Sequence, residues 1–403
     1  MRVLIITQYF YPENFRINEL ARELVNRGYI VDALVGIPNY PEGKYFSGYG
    51  LFQKRHETVD GINIYRCFQT PRGKKSKSLY LSINYLTFMM SACLWVLLKF
   101  AWKKKYDAVI AFEPSPITQI VPAILLGKIR DTKVLSWIQD VWPDSMGKRT
   151  TSKLGKIVYN MVDSLTEFVY RNSDKILVSS KGMIPLVNRH RDYSDKIEYV
   201  PNWCDDFSSI KGNINIETPS GINLMMAGSI NEGIGIDGVI KLLIELSKVE
   251  GLNVLFAGGG SQKQVLETKT KALNINNVCF LGSFAYSDMS DVYAKADALL
   301  LTLRETDKPH LNATVPSRLQ AYMSAGKPVF AMIGFGAAEL IKDADCGFVA
   351  NAGDYKQLVQ LIKDNIKDKA LLEQKGRNAR LMFEREFTVE KGTSHFEALI
   401  SCS

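Results

Sequence analysis

The sequence predicts an α/β protein of two domains, each built on a parallel sheet covered by helices, and three observations carry this prediction. The chain opens with a strand, an amphipathic helix and a second strand, and a new series of strand and helix pairs begins near residue 222. Between apolar runs at 298–303 and 329–333, residues 316–328 have the spacing of a short helix. Such alternation is typical of Rossmann-like domains, and 403 residues are enough for two of them.

Charge is distributed unevenly along the chain. Residues 1–205 hold 29 Lys and Arg against 19 Asp and Glu, a formal charge of +10, whereas the remainder holds 21 against 23. A basic first half predicts an anionic partner there, either phosphates or an acidic membrane surface. No nucleic-acid motif accompanies the charge, so no nucleic-acid partner is expected. The six cysteines lack metal-ligand and disulfide spacing and the four histidines are scattered, which predicts reduced thiols and no metal site.

The first elements are a strand at 3–7, a helix at about 16–27 and a strand at 30–35. The loop that joins the first strand to the helix contains no glycine, so the dinucleotide fingerprint is absent and no cofactor is expected. Because ligands bind at the carboxyl ends of such strands, Glu13, Asn14 and Arg16 are candidates to face a substrate. An ordinary polar loop with a helix cap is the alternative for these residues.

The segment at 37–50 is rich in turns and aromatic residues and has no periodicity. It contains Asn39 and Tyr40. Long irregular loops often carry function, and exposed tyrosines suit stacking on sugars or lipids.

Residues 78–98 form an uncharged run that is preceded by Arg72, Lys74, Lys75 and Lys77 and followed by Lys99 and residues 103–105, all lysines. Its length suffices to cross a bilayer. Polar residues interrupt it, however, and two basic flanks oppose the positive-inside tendency. A membrane-docking segment at about 78–105 is therefore the favoured interpretation, with a membrane span and a buried core helix as alternatives.

Carboxylates follow two of the later strands of the first half. Asp140 and Asp144 lie in the stretch after the strand at 134–137, and Glu113 follows the strand at 108–111. A carboxylate at such a strand end can accept a proton from a hydroxyl or orient it. A helix-capping aspartate is the competing interpretation.

A polar stretch at 208–220 marks the domain boundary. Beyond it, glycines follow successive strands, at Gly228, at 258–260 and at Gly282, and allow the backbone to approach a phosphate or a base closely. The helix at 316–328 begins after a strand, with Ser317 as its predicted N-cap. Its free N–H groups, its dipole and Arg318 together predict an anion site.

The motifs AGSI at 227–230, FAGGG at 256–260, FLGS at 280–283 and PSRLQAYMSAGKPV at 316–329 together resemble the nucleotide-sugar half of family 4 glycosyltransferases of the GT-B fold. The first half agrees through YFYPE at 9–13, PNYPEG at 38–43, QDVWPDS at 139–145 and VPNW at 200–203. These motifs are similar to those of the WbuB-like branch, which adds N-acetyl-L-fucosamine in O-antigen or capsule synthesis. The resemblance covers nearly the whole chain.

The resemblance implies two Rossmann-like domains that face each other across a cleft. The first, residues 1–204, is expected to bind the acceptor; the second, residues 205–384, is expected to bind the nucleotide sugar; and a helix at 385–403 is expected to cross back to the first domain. The family's paired glutamates match Asn312 and Gln320, which suggests an altered contact with the sugar and a glutamine on the ribose hydroxyls. The diphosphate would then find its charge on Arg318, Arg304 or Lys308.

The implied activity is transfer of an N-acetylated amino sugar from a UDP-sugar to a polyprenyl-diphosphate-linked acceptor, at the cytoplasmic face of the inner membrane. The candidate base for an inverting reaction is Asp140, Asp144 or Glu13. The candidate acceptor-binding residues are Asn14, Arg16, Asn39 and Tyr40. The candidate donor-binding residues are Gly228, Ser229, Gly259, Arg304, Asn312, Pro316, Ser317, Arg318 and Gln320.

No metal is expected in this enzyme, because a helix dipole and an arginine can neutralise the leaving diphosphate. A UDP-sugar 2-epimerase and a non-catalytic membrane-associated scaffold of the same fold are the alternatives. The epimerase would act on one soluble substrate, and the scaffold need not bind UDP.

Overall fold

The computed structural model describes residues 1–73, 78–146, 152–210, 212 and 214–401. These residues form two compact units, Met1–Pro201 with Gly392–Ser403, and Asn202–Lys391. The change from one unit to the other falls three residues before the predicted position at 204. The lysines at 74, 75 and 77, which the sequence places before the docking segment, lie outside the described residues.

The first unit is an eight-stranded sheet in the order β3-β4-β2-β1-β5-β6-β7-β8, parallel except for the antiparallel pair β3 and β4. The strands are β1 (Arg2–Thr7), β2 (Ile30–Gly36), β3 (His56–Val59), β4 (Ile62–Cys67), β5 (Ala108–Glu113), β6 (Lys133–Ile138), β7 (Lys175–Val178) and β8 (Ile197–Tyr199). The helices between them are α1 (Arg16–Asn26), α2 (Ser78–Leu98), α3 (Val121–Arg130), α4 (Lys153–Asn172) and α5 (Ile184–Val187).

The central strands of this sheet are continuous apolar runs because helices cover both faces. Residues 3–6 of β1 and 108–111 of β5, for example, are fully buried. The strand order reverses between β1 and β5, since β2 and β4 lie on one side of β1 and β6 to β8 on the other. Ligands of such sheets bind outside the carboxyl ends of the strands at this reversal.

The second unit is a six-stranded parallel sheet in the order β11-β10-β9-β12-β13-β14. Its strands are β9 (Ile222–Ala227), β10 (Leu252–Ala257), β11 (Val278–Gly282), β12 (Ala298–Thr302), β13 (Val329–Ile333) and β14 (Gly347–Asn351). Its helices are α6 (Ile236–Leu246), α7 (Lys263–Ala272), α8 (Met289–Ala294), α9 (Pro309–Ala313), α10 (Ser317–Ser324), α11 (Phe335–Asp343), α12 (Tyr355–Asn365) and α13 (Lys369–Glu386).

Two apolar cores cover the faces of this second sheet. One includes Leu319 and Tyr322 of α10, and the other includes Leu243 of α6 and Leu358 of α12. The Tyr322 hydroxyl is buried between the strands, where it accepts from the Ala227 N–H at 2.9 Å and donates to the Leu300 carbonyl at 3.2 Å. These two hydrogen bonds fix α10 beside β9 and β12.

The last helix, α14 (Val389–Ser401), has its residues from Gly392 onward in the first unit. There the Phe396 ring packs against Trp137 of β6 with ring centroids 4.9 Å apart. The Lys133 ammonium donates to the Leu399 carbonyl at 3.1 Å. The chain therefore ends on the sheet with which it begins.

Candidate active site

In the second unit, the loops after β9, β10 and β11 are hydrogen-bonded to one another at the carboxyl edge of the sheet. The Gly228 N–H donates to the Ala257 carbonyl at 2.8 Å, and the Gly258 N–H donates to the Gly282 carbonyl at 2.6 Å. Gly258 has a φ of 149°, and a Cβ at this position would lie 2.0 Å from the Gly228 carbonyl oxygen. Glycine is required for this approach. The three loops therefore form one backbone surface where the sequence predicts a nucleotide.

Helix α10 begins beside this surface without a side-chain cap. Its first helical residue is Ser317, and Pro316 occupies the N-cap position without a side-chain cap hydrogen bond. The prediction of Ser317 as the N-cap is therefore wrong by one position. Because proline offers no side-chain acceptor, no cap covers the positive end of the helix dipole, although the Leu319 N–H donates to the Pro316 carbonyl at 2.9 Å.

Arg318 adds a positive charge at the same place. Its guanidinium donates to the Ser229 carbonyl. A Cβ on Gly228 would lie 3.0 Å from the Arg318 Nε atom, so the cation rests directly on the glycine turn. Gly228, Ser229, Ser317 and Arg318, predicted separately from the sequence, are thus brought together. They place a helix start, a glycine turn and a guanidinium together where the sequence predicts an anion site.

Gly259 and Arg304 both contact the loop after β9. The Ile230 N–H donates to the Gly259 carbonyl at 2.8 Å, and the Arg304 N–H donates to the Gly233 carbonyl at 2.8 Å. Arg304 also lines a groove of about 500 Å³ with Lys241 and Lys269. Its contact with a diphosphate stays a prediction.

The two residues matched to the family's paired glutamates are engaged within the unit. Asn312 donates to the Thr306 carbonyl at 2.9 Å. Gln320 is 2% exposed and donates to the Asn202 carbonyl at 2.9 Å. The Gln320 side chain faces the segment around Asn202, where the second unit begins. This contact does not support the predicted hydrogen bonds from Gln320 to the ribose hydroxyls.

In the first unit, Glu13 is a buried anchor for the loop after β2. Its Oε1 atom accepts from the backbone N–H groups of Asn39 at 2.7 Å and Tyr40 at 2.6 Å. Burial raises the pKa of Glu13 to about 7, although these hydrogen bonds oppose the shift. The Oε1 atom of Glu13 thus holds the loop after β2, which gives Glu13 a positioning role, and its role as the base stays a prediction.

The acceptor-binding candidates have different surroundings. Asn14 is exposed, and Arg16 forms a salt bridge with Glu19 at 2.9 Å on the surface of α1, which partly neutralises its charge. Asn39 is buried, and its side chain bonds the Ile37 carbonyl and the Arg72 N–H. Tyr40 is 41% exposed, and its ring contacts Tyr9 at the strand ends with centroids 5.8 Å apart.

Asp140 follows β6 at the carboxyl edge and is half-buried. Burial raises the pKa of Asp140, while hydrogen bonding to Ser115 lowers it. Glu113, at the end of the neighbouring β5, is fully buried, and burial together with the Asp140 charge raises the pKa of Glu113 well above its usual value. With Glu113 protonated, Asp140 is the ionised member of the pair and a stronger base than a free aspartate.

Asp144 is a poor candidate for the base. It lies in a single turn of 3-10 helix, Asp144–Met146, and forms a salt bridge with Arg189. The Arg189 guanidinium occupies one oxygen of this carboxylate. The structure thus distinguishes the surroundings of three carboxylates that the sequence left equivalent.

Helix α2 buries polar residues together with Phe88, Ala92 and Val96 on its inner face and exposes apolar residues on its outer face. The Gln8 amide donates to buried Asn84 at 2.6 Å, Thr87 accepts from the Thr70 N–H at 3.0 Å, and Ser91 accepts from the Phe68 N–H at 2.9 Å. The outward face is apolar and exposed, at Leu79, Tyr80, Ile83, Leu86, Met90, Leu94, Leu97, Leu98 and Trp102. The residues that interrupt the apolar run are therefore those that bind the helix to its own domain.

By length and composition, Leu79–Trp102 is the one candidate span within the described ranges, and 22% of its most apolar window is buried. The basic residues after it differ from one another. Lys103 bonds Asp32 at 3.0 Å and Tyr65 at 2.9 Å, so it is committed to the fold, whereas Lys104 is exposed. Lys103 is therefore not available to anionic lipid, contrary to the expectation for 103–105 as a group.

Helix α4 carries a second exposed apolar stripe that the sequence analysis missed. Leu154, Ile157 and Met161 repeat at helical spacing and are 71%, 55% and 66% exposed. Polar residues of α4 point inward, as when Glu167 accepts from the Tyr193 hydroxyl at 2.6 Å. Both α2 and α4 pack against α3. The sequence does carry a signal for this stripe, which is the spacing of three to four residues between its apolar positions. The helix is too polar overall to stand out by composition.

No group of three or more metal-ligating side chains occurs among the residues that the structure describes.

Comparison with known proteins supports a common family for the whole chain. Residues 14–203 match the family described as "Glycosyl transferase 4-like domain", and residues 214–382 match "Glycosyl transferases group 1". A relative described as "Probable glycosyltransferase WbjE" from Pseudomonas aeruginosa is 23% identical over 314 residues, which are 74% of this chain and 75% of that protein.

Two solved structures show the same fold over the full length. Alr3699/HepE of Anabaena, solved in complex with UDP, has a TM-score of 0.68 at 15% identity and covers 100% of both chains. WaaG, described as a glycosyltransferase involved in lipopolysaccharide biosynthesis, has a TM-score of 0.63 at 15% identity and also covers 100% of both. Both likenesses extend over the whole chain, and they support the GT-B fold that the sequence predicts.

Proposed function

Because the chain is a glycosyltransferase of the GT-B fold, we propose that it transfers an N-acetylated amino sugar from a UDP-sugar to a polyprenyl-diphosphate-linked sugar. N-acetyl-L-fucosamine is our first choice of sugar, on the sequence resemblance. The likeness to WbjE and to a lipopolysaccharide enzyme supports a role in O-antigen or capsule synthesis.

The observation that carries this proposal is the uncapped start of α10 with Arg318 against the Gly228 turn. A diphosphate placed there would meet backbone N–H groups, a helix dipole and a guanidinium. These groups stabilise negative charge most where it develops, on the UDP that leaves. HepE, which shares the fold, is solved with UDP and with UDP-glucose, and this supports UDP as the carrier.

Asp140 is the proposed base. The acceptor hydroxyl would give its proton to an Asp140 carboxylate oxygen while its oxygen bonds to the sugar C1 atom. The bond from C1 to the diphosphate oxygen would break, and UDP would leave with the electron pair. This displacement inverts the anomeric centre, so the product linkage is expected to have the opposite configuration to the donor.

We further propose that the first unit docks on an anionic leaflet through the outward faces of α2 and α4. A polyprenyl-linked acceptor resides in a membrane, and exposed apolar stripes of this length are rarely left uncovered by a soluble protein. The cytoplasmic face of the inner membrane is the expected location, because UDP-sugars are made in the cytoplasm.

Calorimetric titration of the full-length protein with UDP tests the donor site. Wild-type protein is expected to bind UDP, and Arg318→Ala to weaken binding about ten- to hundredfold, since charge-assisted hydrogen bonds contribute ~1.5 to 3 kcal/mol. Gln320→Ala is the matched variant on the same helix, and its buried contact to Asn202 predicts reduced thermal stability with unchanged UDP affinity. Absence of UDP binding would favour a scaffold. Conversion of UDP-N-acetylglucosamine without an acceptor would favour an epimerase.

A further inference from the structure

Arg72 is held at the carboxyl edge of the first sheet by two aromatic rings from separate loops. Its guanidinium lies 5.5 Å from the ring centre of Tyr9, after β1, and 5.2 Å from that of Tyr40, after β2. Tyr9 stacks on Phe15 with centroids 5.2 Å apart, and Phe15 contacts Tyr40 at 5.6 Å. We call Tyr9, Phe15, Tyr40 and Arg72 the arginine cradle.

The backbone of the arginine cradle is fixed independently of its side chains. The Arg72 N–H donates to the Asn39 side-chain oxygen at 3.1 Å, and the Gly73 N–H donates to the Gly43 carbonyl at 2.9 Å. Asn39 is in turn fixed by Glu13 through its own N–H at 2.7 Å. Glu13 and Asn39, both predicted from the sequence as site residues, thus hold Arg72 in place. Arg72 itself was not predicted as a site residue.

Arg72 retains both charge and donors. It forms no salt bridge with a carboxylate in the described parts of the chain, and there its guanidinium bonds one side chain, the Tyr9 hydroxyl. A guanidinium has five N–H donors in a planar fork that matches phosphoryl oxygens. Most of these donors are therefore left for a ligand.

The arginine cradle is close to Tyr85 of α2, which is also close to the proposed base. Tyr85 interacts electrostatically with Arg72, Glu113 and Asp140, and both Tyr85 and Asp140 hydrogen-bond Ser115. Arg72 also precedes the first residue of α2, Ser78, by six positions, which an extended chain spans in at most about 21 Å. A ligand on Arg72 would thus lie near both Asp140 and α2.

We propose that the arginine cradle binds the diphosphate of the prenyl-linked acceptor, with the acceptor sugar toward Asp140 and the prenyl chain toward α2. This inference rests on the proposed function and names the subsite that orients its lipid substrate. The phosphate of a bilayer lipid has the same chemistry, so the test must separate the two sources.

The test measures binding of farnesyl diphosphate to the full-length protein by calorimetry, with saturating UDP present to occupy the donor site. Arg72→Gln is expected to weaken this binding about tenfold to a hundredfold. Arg72→Lys keeps the charge but loses the planar fork, and is expected to weaken it less. Tyr9→Phe removes only the hydroxyl that orients the guanidinium, and a loss of a few fold is expected.

Arg55→Lys is the matched control, because Arg55 also lies over a ring, that of Trp95, but its donors are committed to the carbonyls of Arg66 and Leu51. It should leave farnesyl diphosphate binding unchanged. Thermal unfolding shows whether each variant is folded. If Arg72→Gln does not fold, the affinities of Tyr9→Phe and Arg72→Lys for farnesyl diphosphate test the inference instead.

Wild-type affinity for farnesyl diphosphate in Arg72→Gln would overturn the inference. So would a loss confined to binding of anionic vesicles, which would assign Arg72 to bilayer lipid. In turnover, the KM for the lipid-linked acceptor should rise while the KM for the UDP-sugar stays constant. An active wild type with an unchanged acceptor KM in the variants would refute the subsite alone, whereas a wild type that neither binds UDP nor transfers sugar would refute the proposed function.

Discussion

At the residue scale, the surroundings of each carboxylate determine its role. Asp140 is half-buried beside a fully buried Glu113, whereas Asp144 is paired with Arg189. We expect Asp140→Asn to lower kcat about 10² to 10⁴-fold, the range of general base catalysis, with UDP affinity unchanged. Asp144→Asn breaks an ion pair and is expected to lower the melting temperature instead. Comparable kcat values for the two variants would remove Asp140 from the base role.

Activity should also depend on pH through Asp140. Burial raises the pKa of Asp140, and the carboxylate must be ionised to accept a proton. The kcat is therefore expected to rise as pH increases through this raised pKa. Glu113 stays protonated and neutral over this range, so Glu113→Gln, which keeps its shape, should leave the rise at the same pH. A rise that moves to lower pH in Glu113→Gln would show that Glu113 is charged, contrary to this assignment.

Glu13 provides a prediction about stability. Burial raises the pKa of Glu13 from 4.5 to about 7, so the folded state favours the protonated carboxyl. Its contribution to stability is fully present below pH 4.5 and is lost as pH rises through 7, on the order of 3 kcal/mol for this shift. Glu13→Gln should remove this pH dependence. Denaturant unfolding at pH 5 and pH 8 measures this change in the free energy of unfolding. An equal change in wild type and in Glu13→Gln would contradict the raised pKa of Glu13.

The sequence located the strand-end residues but not their partners. Gly228, Ser229, Ser317 and Arg318 were found because glycines and a helix start follow strands in a fixed order. Arg72 was taken only as a basic flank, since its neighbours Tyr9 and Tyr40 come from distant loops and no local pattern joins them. Pairing such as that of Asp144 with Arg189 is likewise set by tertiary packing and has no signal in sequence.

At the scale of elements, α2 shows why composition alone does not describe a helix. Its apolar run suggested a docking segment, and the structure adds that the polar residues are on the inner face. Replacing Leu86, Met90 and Leu94 by glutamine should release the protein from anionic vesicles. Each buried apolar side chain contributes ~1.5 to 3 kcal/mol, so affinity should fall by more than about a hundredfold. Co-sedimentation measures this loss.

Ser91→Ala on the inner face is the matched control for this prediction. It leaves the Phe68 N–H without its acceptor, which is expected to cost ~1 to 3 kcal/mol of folding stability and no vesicle affinity. Vesicle binding that survives the outer triple substitution would contradict docking through α2. Binding that resists both the substitution and carbonate extraction would indicate a membrane span.

At the scale of the whole molecule, the alternation of strands and helices was sufficient to predict an α/β fold with two sheets. The antiparallel pair β3 and β4 was missed, because His56–Val59 is a short, half-exposed edge strand with no continuous apolar run. Strand β14 was missed for a similar reason, as Gly347–Asn351 is also short and only partly buried. The edge position alone does not decide this, because the edge strand β11 was predicted and the interior strand β4 was not.

The central claim is that sugar passes from a UDP-sugar to a prenyl-diphosphate-linked acceptor. The most direct measurement incubates the full-length protein with a panel of UDP-sugars and a lipid-linked acceptor, and follows the acceptor by mass spectrometry. We predict an acceptor heavier by one N-acetylated amino sugar, formed with one donor of the panel and absent without the lipid-linked substrate. An acceptor of unchanged mass with every donor, despite demonstrated UDP binding, would contradict the account.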